Sequence, residues 1–257
     1  MSATERGERF RALHEGEPFV IPNPWDAGSA RVLAAHGFQA LATTSSGFAF
    51  TRGRPDGSVT LDEVVAHVEL LCGATDLPLS VDLEAGYGDP AEAIARVAAA
   101  GAVGGSIEDY DGERILELGD AVAQVEAAVA AARAVGFPFT FTARAENHIR
   151  GNPDLADTIE RLQAYDAAGA DVLYAPGIRT SDEIRAVCGA VAKPVNVLAL
   201  PGMTFAEIAD AGAQRISVGG GLAWTAALAL ADAAAAIRDR GDFSVLGAGT
   251  VVREWLS

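Results

Sequence analysis

Short runs of apolar and β-branched residues alternate along the chain with longer, alanine-rich stretches in which apolar residues recur at helical spacing. The short runs have the length of strands, and the longer stretches have the length of helices. The predicted strands are residues 19–22, 40–43, 77–82, 104–108, 139–143, 171–175, 194–198 and 215–218. The predicted helices are residues 27–35, 61–71, 90–100, 120–135, 153–168, 181–190, 205–211 and 222–239.

Several of the predicted helices carry start and stop signals. Capping boxes, in which two side chains bind free backbone N–H groups reciprocally, are predicted at Thr60 with Glu63, Thr180 with Glu183 and Thr204 with Glu207. Glycine, which tolerates the left-handed conformation that ends a helix, follows at Gly37, Gly101, Gly136, Gly169 and Gly212.

Eight strands, each followed by a helix, in a chain of 257 residues predict a (β/α)8 TIM barrel. A doubly wound open sheet is the alternative, because alternation alone does not show closure. The barrel is favoured because unusual polar residues follow the strands, and barrels gather their chemistry at the carboxyl ends of strands. No linker interrupts the pattern, so we predict one domain over residues 1–257. The tail, residues 241–257, mixes glycine with Phe243, Val252 and Trp255 and is expected to dock on a neighbouring subunit.

The formal charge of −16 argues against nucleic acid as a partner, because phosphate binding needs clustered cations and Lys193 is the single lysine. No apolar run approaches the ~20 residues of a membrane span, and residues 1–11 lack the centre of a signal peptide, so we expect a cytoplasmic protein. Cys72 and Cys188 lie in helical, mostly apolar stretches and are expected to be buried thiols. An anionic substrate would need a metal ion or placed arginines.

Two carboxylates, Asp82 and Glu84, follow a predicted strand and should lie on the same side of its end. Adjacent acids repel unless a cation lies between them, and Mg2+ is bound by one or two carboxylates with water and substrate oxygens. The alternative is an acidic turn leading to Asp89, which should cap the next helix before Pro90. That alternative explains Asp89 but leaves the other two acids unexplained.

Further candidates follow the neighbouring strands. Glu108 and Asp109 end a glycine-rich strand, and for Asp109 a turn cap or an ion pair with Arg114 is an equal alternative. Arg144 ends an uncharged strand and should pair with these acids or bind a substrate carboxylate.

Other side chains are weaker signals. Residues 45–47, Ser-Ser-Gly, should form a glycine turn whose hydroxyl and N–H groups can bind a carboxylate or phosphonate. His148 is more often structural than catalytic in such a context. Tyr87, between two glycines, could line a pocket or cover the strand end.

These residues resemble motifs of the isocitrate lyase and phosphoenolpyruvate mutase superfamily, along nearly the whole chain. Residues 82–88, Asp-Leu-Glu-Ala-Gly-Tyr-Gly, resemble its Asp-x-Asp-x-Gly-Tyr-Gly signature. Residues 106–109 resemble its acid pair after the fourth strand, and residues 143–146 its Ala-Arg-x-Asp/Glu motif.

The resemblance implies a Mg2+ ion, or Mn2+ in its place, bound directly by Asp82 and largely through water by Asp56, Glu84 and Glu108. It implies a small 2-oxo acid or dicarboxylate as ligand. The expected substrate-binding residues are Ser45, Ser46, Gly47, Arg144 and Asn196, and the expected catalytic residues are Arg144, Glu146 and Tyr87. It also implies a homo-oligomer, a dimer or tetramer, with the last helix exchanged between subunits.

Two positions depart from the superfamily pattern. Glu84 stands where an aspartate is usual, which lengthens the side chain by one methylene. The loop 110–119 contains neither the Lys-Lys-Cys-Gly-His gate of the lyases nor the lysine- and asparagine-bearing gate of the mutases. We therefore expect no isocitrate or methylisocitrate cleavage.

Three functional hypotheses remain. The first is a Mg2+-dependent carbon–carbon lyase acting through a metal-stabilised enolate, similar to an oxaloacetate decarboxylase. The second is phosphorus–carbon chemistry of the phosphoenolpyruvate mutase or phosphonopyruvate hydrolase type. The third is a catalytically silent protein that binds 2-oxo acids.

Overall fold

The computed structural model describes residues 1–247 and 249–255. Its strands are β1 (Phe19–Ile21), β2 (Leu41–Ala42), β3 (Leu79–Asp82), β4 (Gly104–Glu108), β5 (Thr140–Arg144), β6 (Val172–Tyr174), β7 (Val195–Leu198) and β8 (Arg215–Ser217). Its helices are α1 (Ala3–Leu13), α2 (Ala27–Ala35), α3 (Ser45–Thr51), α4 (Leu61–Ala74), α5 (Pro90–Ala99), α6 (Leu118–Ala134), α7 (Leu155–Ala167), α8 (Ser181–Ala190), α9 (Phe205–Asp210), α10 (Gly221–Arg240) and α11 (Thr250–Trp255).

All strand pairings are parallel, and β8 pairs with β1 as well as with β7. The remaining gap, between β1 and β2, is crossed by a hydrogen bond from the Ala42 N–H to the Pro22 carbonyl oxygen at 3.1 Å. Asn23 adds a second link there, because its Nδ2 donates to the Thr43 carbonyl oxygen at 2.9 Å. The prediction of a (β/α)8 barrel is confirmed, and the open doubly wound sheet is wrong.

Burial on both faces of the strands explains why these sequences form a barrel. β5 is buried along most of its length, with Phe141 and Ala143 in the apolar layer between strands and helices. All three predicted capping boxes form, at the starts of α4, α8 and α9. The amphipathic helices thus begin where local sequence signals place them, and their apolar faces cover the strands.

The sequence pattern did not predict α1, which lies before the first strand. Its capping box joins Ser2 and Glu5, and its Phe10 is fully buried against the barrel floor. Gly104 on β4 leaves room for this ring, since a Cβ there would lie 2.7 Å from Phe10 Cε1. Gln214, just before β8, fixes the end of the helix by donating from Nε2 to the Leu13 carbonyl oxygen at 3.0 Å.

The end of the chain carries exposed apolar surface. On α10, Leu228 and Leu230 are 65% and 70% exposed, and Phe243 in the following segment is 64% exposed. By length and composition, α10 meets the criteria for a membrane-spanning helix, so the expectation that no apolar run approaches that length is wrong. The Trp255 ring of α11 lies 5.6 Å from the His36 ring of the same chain. Ala248, Leu256 and Ser257 of the predicted docking tail lie outside the described residues.

Candidate active site

The carboxyl ends of β3, β4 and β5 bring Asp82, Glu108 and Arg144 together. Glu108 and Arg144 are register partners on adjacent strands, and Arg144 Nη1 lies 3.3 Å from Glu108 Oε2. The same nitrogen lies 3.8 Å from Asp82 Oδ1. All three side chains are mostly buried, so their charges interact more strongly than they would in water. The predicted grouping of these residues is therefore present at one end of the barrel.

Glu146 lies beneath this group and contacts two arginines. It is fully buried, and it accepts hydrogen bonds from Arg144 Nε and from Arg150 Nε, the latter at 3.0 Å. Its carboxylate thus fixes the direction of both guanidinium groups. The resemblance implies a catalytic role for Glu146, and in the structure its side chain contacts the two arginines.

Asp109 faces away from the mouth of the barrel and supports Glu146 from behind. Its Oδ1 accepts the backbone N–H of Glu146 at 2.7 Å, while its Oδ2 accepts from Tyr165 at 2.6 Å and from Arg161 at 3.1 Å. The alternative pairing of Asp109 with Arg114 is wrong, because Arg114 pairs with Asp111 on the loop. The cause is burial: Asp109 is 2% exposed and needs partners inside the protein.

Glu84 and Tyr87 lie in the loop after β3 and are joined by a hydrogen bond. Both have positive φ, 49° and 54°, a conformation that is uncommon outside glycine. The Tyr87 hydroxyl donates to Glu84 Oε1 at 3.1 Å. Burial, together with the neighbouring carboxylates of Asp82 and Asp56, raises the pKa of Glu84 to about 7.

Glu108 experiences a similar excess of negative charge. Its pKa is raised to about 8, mainly by burial and also by the carboxylates of Glu146 and Asp82, although the charge on Arg144 opposes the rise. Two acids with raised pKa values beside a third acid indicate that the cluster holds too little positive charge to ionise fully. The chemistry of this donor set fits a divalent cation bound through carboxylate oxygens.

The described part of the chain contains no metal site built from protein ligands alone, because no three acidic, histidine or cysteine side chains there lie close enough to hold one ion. This arrangement is compatible with the implied ligand set, in which one carboxylate binds the ion directly and the others bind its water. Asp56 is exposed at the mouth, where its Oδ1 accepts the Gly57 N–H at 3.1 Å.

Residues 45–47 begin the short helix α3, so the predicted glycine turn is wrong. Thr44 caps this helix, and its Oγ1 accepts the Gly47 N–H at 3.3 Å. The Ser45 N–H donates to Asp82 Oδ2 at 3.2 Å, which brings the triplet beside the acid group. Ser46 Oγ lies 3.1 Å from Thr44 Oγ1. A Cβ at position 47 would lie 2.7 Å from Thr44 Cγ2, so glycine is required at this position.

Two cavities meet at Arg144. The inner one, about 60 Å³, lies in the barrel and is lined by residues that include Asp82, Asn196 and Arg215. The outer one, about 380 Å³, is lined by residues that include Asp56, Glu84 and Glu108. A cavity of about 420 Å³ is lined by Arg11, Phe139 and Lys193, at the opposite end of the barrel from the acid cluster.

Sequence reasoning missed Arg150, which is placed at the outer cavity. Its Nη2 lies 3.5 Å from Glu108 Oε1, and its guanidinium carbon lies 4.0 Å from the centre of the Tyr110 ring. The available signal was its spacing, four residues after Glu146, which places two side chains on one face of a helical turn. His148, in contrast, is structural: its Nδ1 lies 3.0 Å from Thr158 Oγ1.

The loop after β4 forms a tight turn of its own. Tyr110 and Ile115 form an antiparallel bridge, and Asp111 Oδ1 accepts the N–H groups of Glu113 at 2.9 Å and Arg114 at 2.8 Å. Cys72 and Cys188 lie elsewhere, beside Gly101 and Gly212 at the amino ends of β4 and β8. Burial raises the pKa of each thiol to about 11.

Comparison with known proteins gives consistent relatives. The sequence model of the family described as phosphoenolpyruvate phosphomutase matches residues 10–238. A Burkholderia cenocepacia J2315 protein of known structure, described provisionally as a lyase/mutase, is 49% identical, with 99% of this chain and 96% of that chain covered and a TM-score of 0.96. The 2-methylisocitrate lyase of Halalkalibacterium halodurans is 30% identical over 84% of this chain and 76% of its own length. The oxaloacetate decarboxylase of Rhodopseudomonas palustris BisB18 is 28% identical over 85% and 79%.

Proposed function

The chain belongs to the phosphoenolpyruvate phosphomutase family, and from this premise we propose that it is a divalent-metal-dependent lyase. Its substrate is a small 2-oxo or 2-hydroxy acid, in which it cleaves a carbon–carbon bond, as an oxaloacetate decarboxylase does. The observation that carries the proposal is the cluster of Asp82, Glu108 and Arg144, where two buried carboxylates, one of them Glu108 with a raised pKa, meet a buried guanidinium at the barrel mouth.

In this proposal Asp82 binds Mg2+ or Mn2+ directly, and Asp56, Glu84 and Glu108 bind it through water. When bound, the cation acts as a Lewis acid that stabilises negative charge developing on the substrate keto oxygen. Arg144 then has two roles, because it neutralises the acids in the free protein and orients the substrate carboxylate in the complex.

The substrate carboxylate is proposed to lie between Arg144 and the start of α3. Support comes from the contact of the Ser45 N–H with Asp82, which brings the backbone of Ser46 and Gly47 to the acid group. Asn196 lines the inner cavity, where its side chain can orient the rest of the substrate. Such fixed donors position a small anion before reaction.

Tyr87 is the proposed proton donor to the carbon that is left when the bond breaks. Burial raises the pKa of its hydroxyl, and the Glu84 carboxylate raises it further, so the hydroxyl stays protonated at neutral pH. In the free protein its O–H donates to Glu84 Oε1, so the hydroxyl must turn from this carboxylate to the substrate carbon, and solvent water restores the proton after each turnover.

Phosphorus–carbon chemistry is the second candidate, supported by the name of the matching family. It would use the same carboxylate-binding residues. A panel of substrates separates the hypotheses: pyruvate released from oxaloacetate supports the lyase, and phosphate released from phosphonopyruvate supports the second candidate. Tight binding with no turnover of either would support a silent binding protein.

Calorimetry with Mg2+ and oxalate, a planar mimic of an enolate, tests the metal proposal. Asp82→Ala should abolish binding of both, since it removes the direct ligand, whereas Glu84→Ala and Glu108→Ala should weaken it less. Asp182→Ala, which changes an exposed acid paired with Arg185, is the control and should bind like the wild type. Unchanged oxalate affinity in Asp82→Ala would overturn the metal assignment.

We also propose that the chain is a single barrel domain that forms dimers or tetramers. Support for assembly comes from the exposed leucines of α10 and from Phe243 and Leu246, which leave an apolar surface on an acidic protein. The exchange of the last helix between subunits stays a prediction, since α11 contacts α2 of its own chain.

The loop after β4 further leads us to propose that isocitrate and 2-methylisocitrate are not substrates. The loop has no cysteine, and both thiols of the chain lie at the amino ends of strands. The 30% identity to a 2-methylisocitrate lyase makes this an experimental question, and its test is given in the Discussion.

A further inference from the structure

Arg215 is a buried cation with only neutral partners. It lies on β8 and is 5% exposed. Its Nε donates to Asn196 Oδ1 at 2.9 Å and its Nη2 to Thr142 Oγ1 at 2.9 Å, while its Nη1 lies 3.3 Å from His14 Nε2. Among the described residues, no carboxylate forms an ion pair with this guanidinium.

The His14 contact does not add a compensating charge. His14 Nδ1 lies 2.8 Å from the Phe10 carbonyl oxygen, so Nδ1 carries the proton and Nε2 accepts from Arg215. Burial and, to a smaller extent, the charge on Arg215 lower the pKa of His14 to about 3. Burial also lowers the pKa of Arg215, but only to about 10, so the guanidinium stays charged at neutral pH.

The other deeply buried arginines show how this protein normally stabilises such a charge. Arg144 is surrounded by the carboxylates of Asp82, Glu108 and Glu146. Arg161 contacts Asp109 and Asp157, each at 3.1 Å. Taking an ion out of water is costly unless an opposite charge replaces its hydration. Arg215 is the exception within this group.

Arg215 also has N–H donors that these contacts do not use, and the residue lines a cavity. A guanidinium carries five N–H donors, and the contacts above use three of them. Arg215 lines the inner cavity of about 60 Å³, whose wall also carries hydroxyl groups of Thr43, Ser80 and Ser217. That volume accommodates a carboxylate group. Asp82 and Arg144 line the same cavity, so it lies directly below the proposed substrate position.

We infer that Arg215 and the inner cavity form a second anion-binding position, which takes the distal carboxylate of a dicarboxylic 2-oxo or 2-hydroxy acid. This inference rests on the proposed function, since it places the first carboxylate of that acid at Arg144. The ligand then supplies the negative charge that no carboxylate of the described residues supplies to Arg215. Monocarboxylic acids lack the group that would fill the position, so the enzyme discriminates against them.

Formate tests the anion position in metal-free protein. It should raise the melting temperature of the wild type saturably and leave Arg215→Met unchanged. Arg185→Met, at an exposed arginine, is the control and should respond like the wild type. No response of the wild type would overturn the inference. An equal response to chloride would overturn the carboxylate assignment and identify a halide site.

Malate and lactate test the substrate part, because they share a 2-hydroxy acid unit and differ in the distal carboxylate. With Mg2+ present, Arg215→Met should weaken malate binding by about 30-fold or more and leave lactate and oxalate affinity unchanged. Equal losses for malate and lactate would overturn the inference. Failure of the wild type to bind oxalate would instead overturn the proposed function.

Crystals of the wild type grown with formate provide a test without any variant, in case Arg215→Met does not fold. Formate within hydrogen-bonding distance of the Arg215 guanidinium supports the inference. Water alone at that position, with formate in the crystal, overturns it.

Discussion

The carboxylate of Asp109 accepts the backbone N–H of Glu146 at 2.7 Å, and this contact joins the end of β4 to the loop that follows β5. Glu146 in turn fixes the guanidinium groups of Arg144 and Arg150. A residue that faces away from the mouth thus determines where the two cations at the mouth lie.

Replacing Asp109 with asparagine should therefore affect both stability and activity. Arg161 would lose its buried counterion, and the free energy of unfolding should fall by about 3 kcal/mol. The rate constant kcat should fall by about 10- to 100-fold as Arg144 loses its support. Denaturant melts and steady-state kinetics measure these effects. Asp182→Asn, in a surface pair, should cost less than about 1 kcal/mol, and equal losses in both variants would contradict the role of Asp109.

Metal affinity should rise with pH. Glu84 and Glu108 have pKa values raised to about 7 and about 8 in the metal-free protein, so both are partly protonated at neutral pH. A cation needs the ionised carboxylates, so binding releases protons, and affinity increases as pH rises through this range. Calorimetry in buffers of different ionisation enthalpy should detect this release near pH 7. Glu108→Gln should release fewer protons on binding the metal. A metal affinity that does not change between about pH 6 and about pH 9 would contradict the prediction.

Neither cysteine should take part in turnover. Cys72→Ala with Cys188→Ala should keep full activity on the true substrate and lose about 1 to 2 kcal/mol of stability from two small cavities. Isocitrate and 2-methylisocitrate should not be cleaved by the wild type or the variant. Robust cleavage of either acid that disappears with one of the thiols would show that the assignment of the loop after β4 is mistaken.

The exposed face of α10, together with Phe243 and Leu246 in the segment after it, should be an interface between subunits. Light scattering should give a dimer or tetramer for the full chain and a smaller mass for a chain that ends at Gly241. Leu228→Ser with Leu230→Ser should have the same effect. Leu70→Ser, at a leucine that is 55% exposed on α4, is the matched control and should leave the mass unchanged. A monomeric full chain would rule the interface out.

The parts of the fold that sequence predicted are those with local causes. Thr60 and Glu63 specify the start of α4 through contacts three residues apart, and the structure contains them. Asp82, Glu108 and Arg144 converge because each ends a strand, and parallel strands in a barrel end at the same mouth. These features follow from neighbours in the chain or from the repeat itself.

The missed parts depend on distant residues. Five of the eleven residues of α1 are charged, and Phe10 becomes a core residue only because Gly104 leaves room for it. Asp109 has partners 37 to 56 residues away, so no local spacing identifies them. The neutral surroundings of Arg215 come from α1, β5 and β7, and a sequence pattern does not reveal a missing counterion.

The contact between Gln214 and the end of α1 has a consequence for synthesis of the chain. The Gln214 side chain joins the Leu13 carbonyl oxygen across a separation of 201 residues. During translation the first helix must therefore wait until most of the barrel has left the ribosome before it can be fixed in place. Phe10 packs instead against β1 and the start of β4, which are translated earlier, so its ring can be buried before Gln214 joins the end of the helix to the last strand.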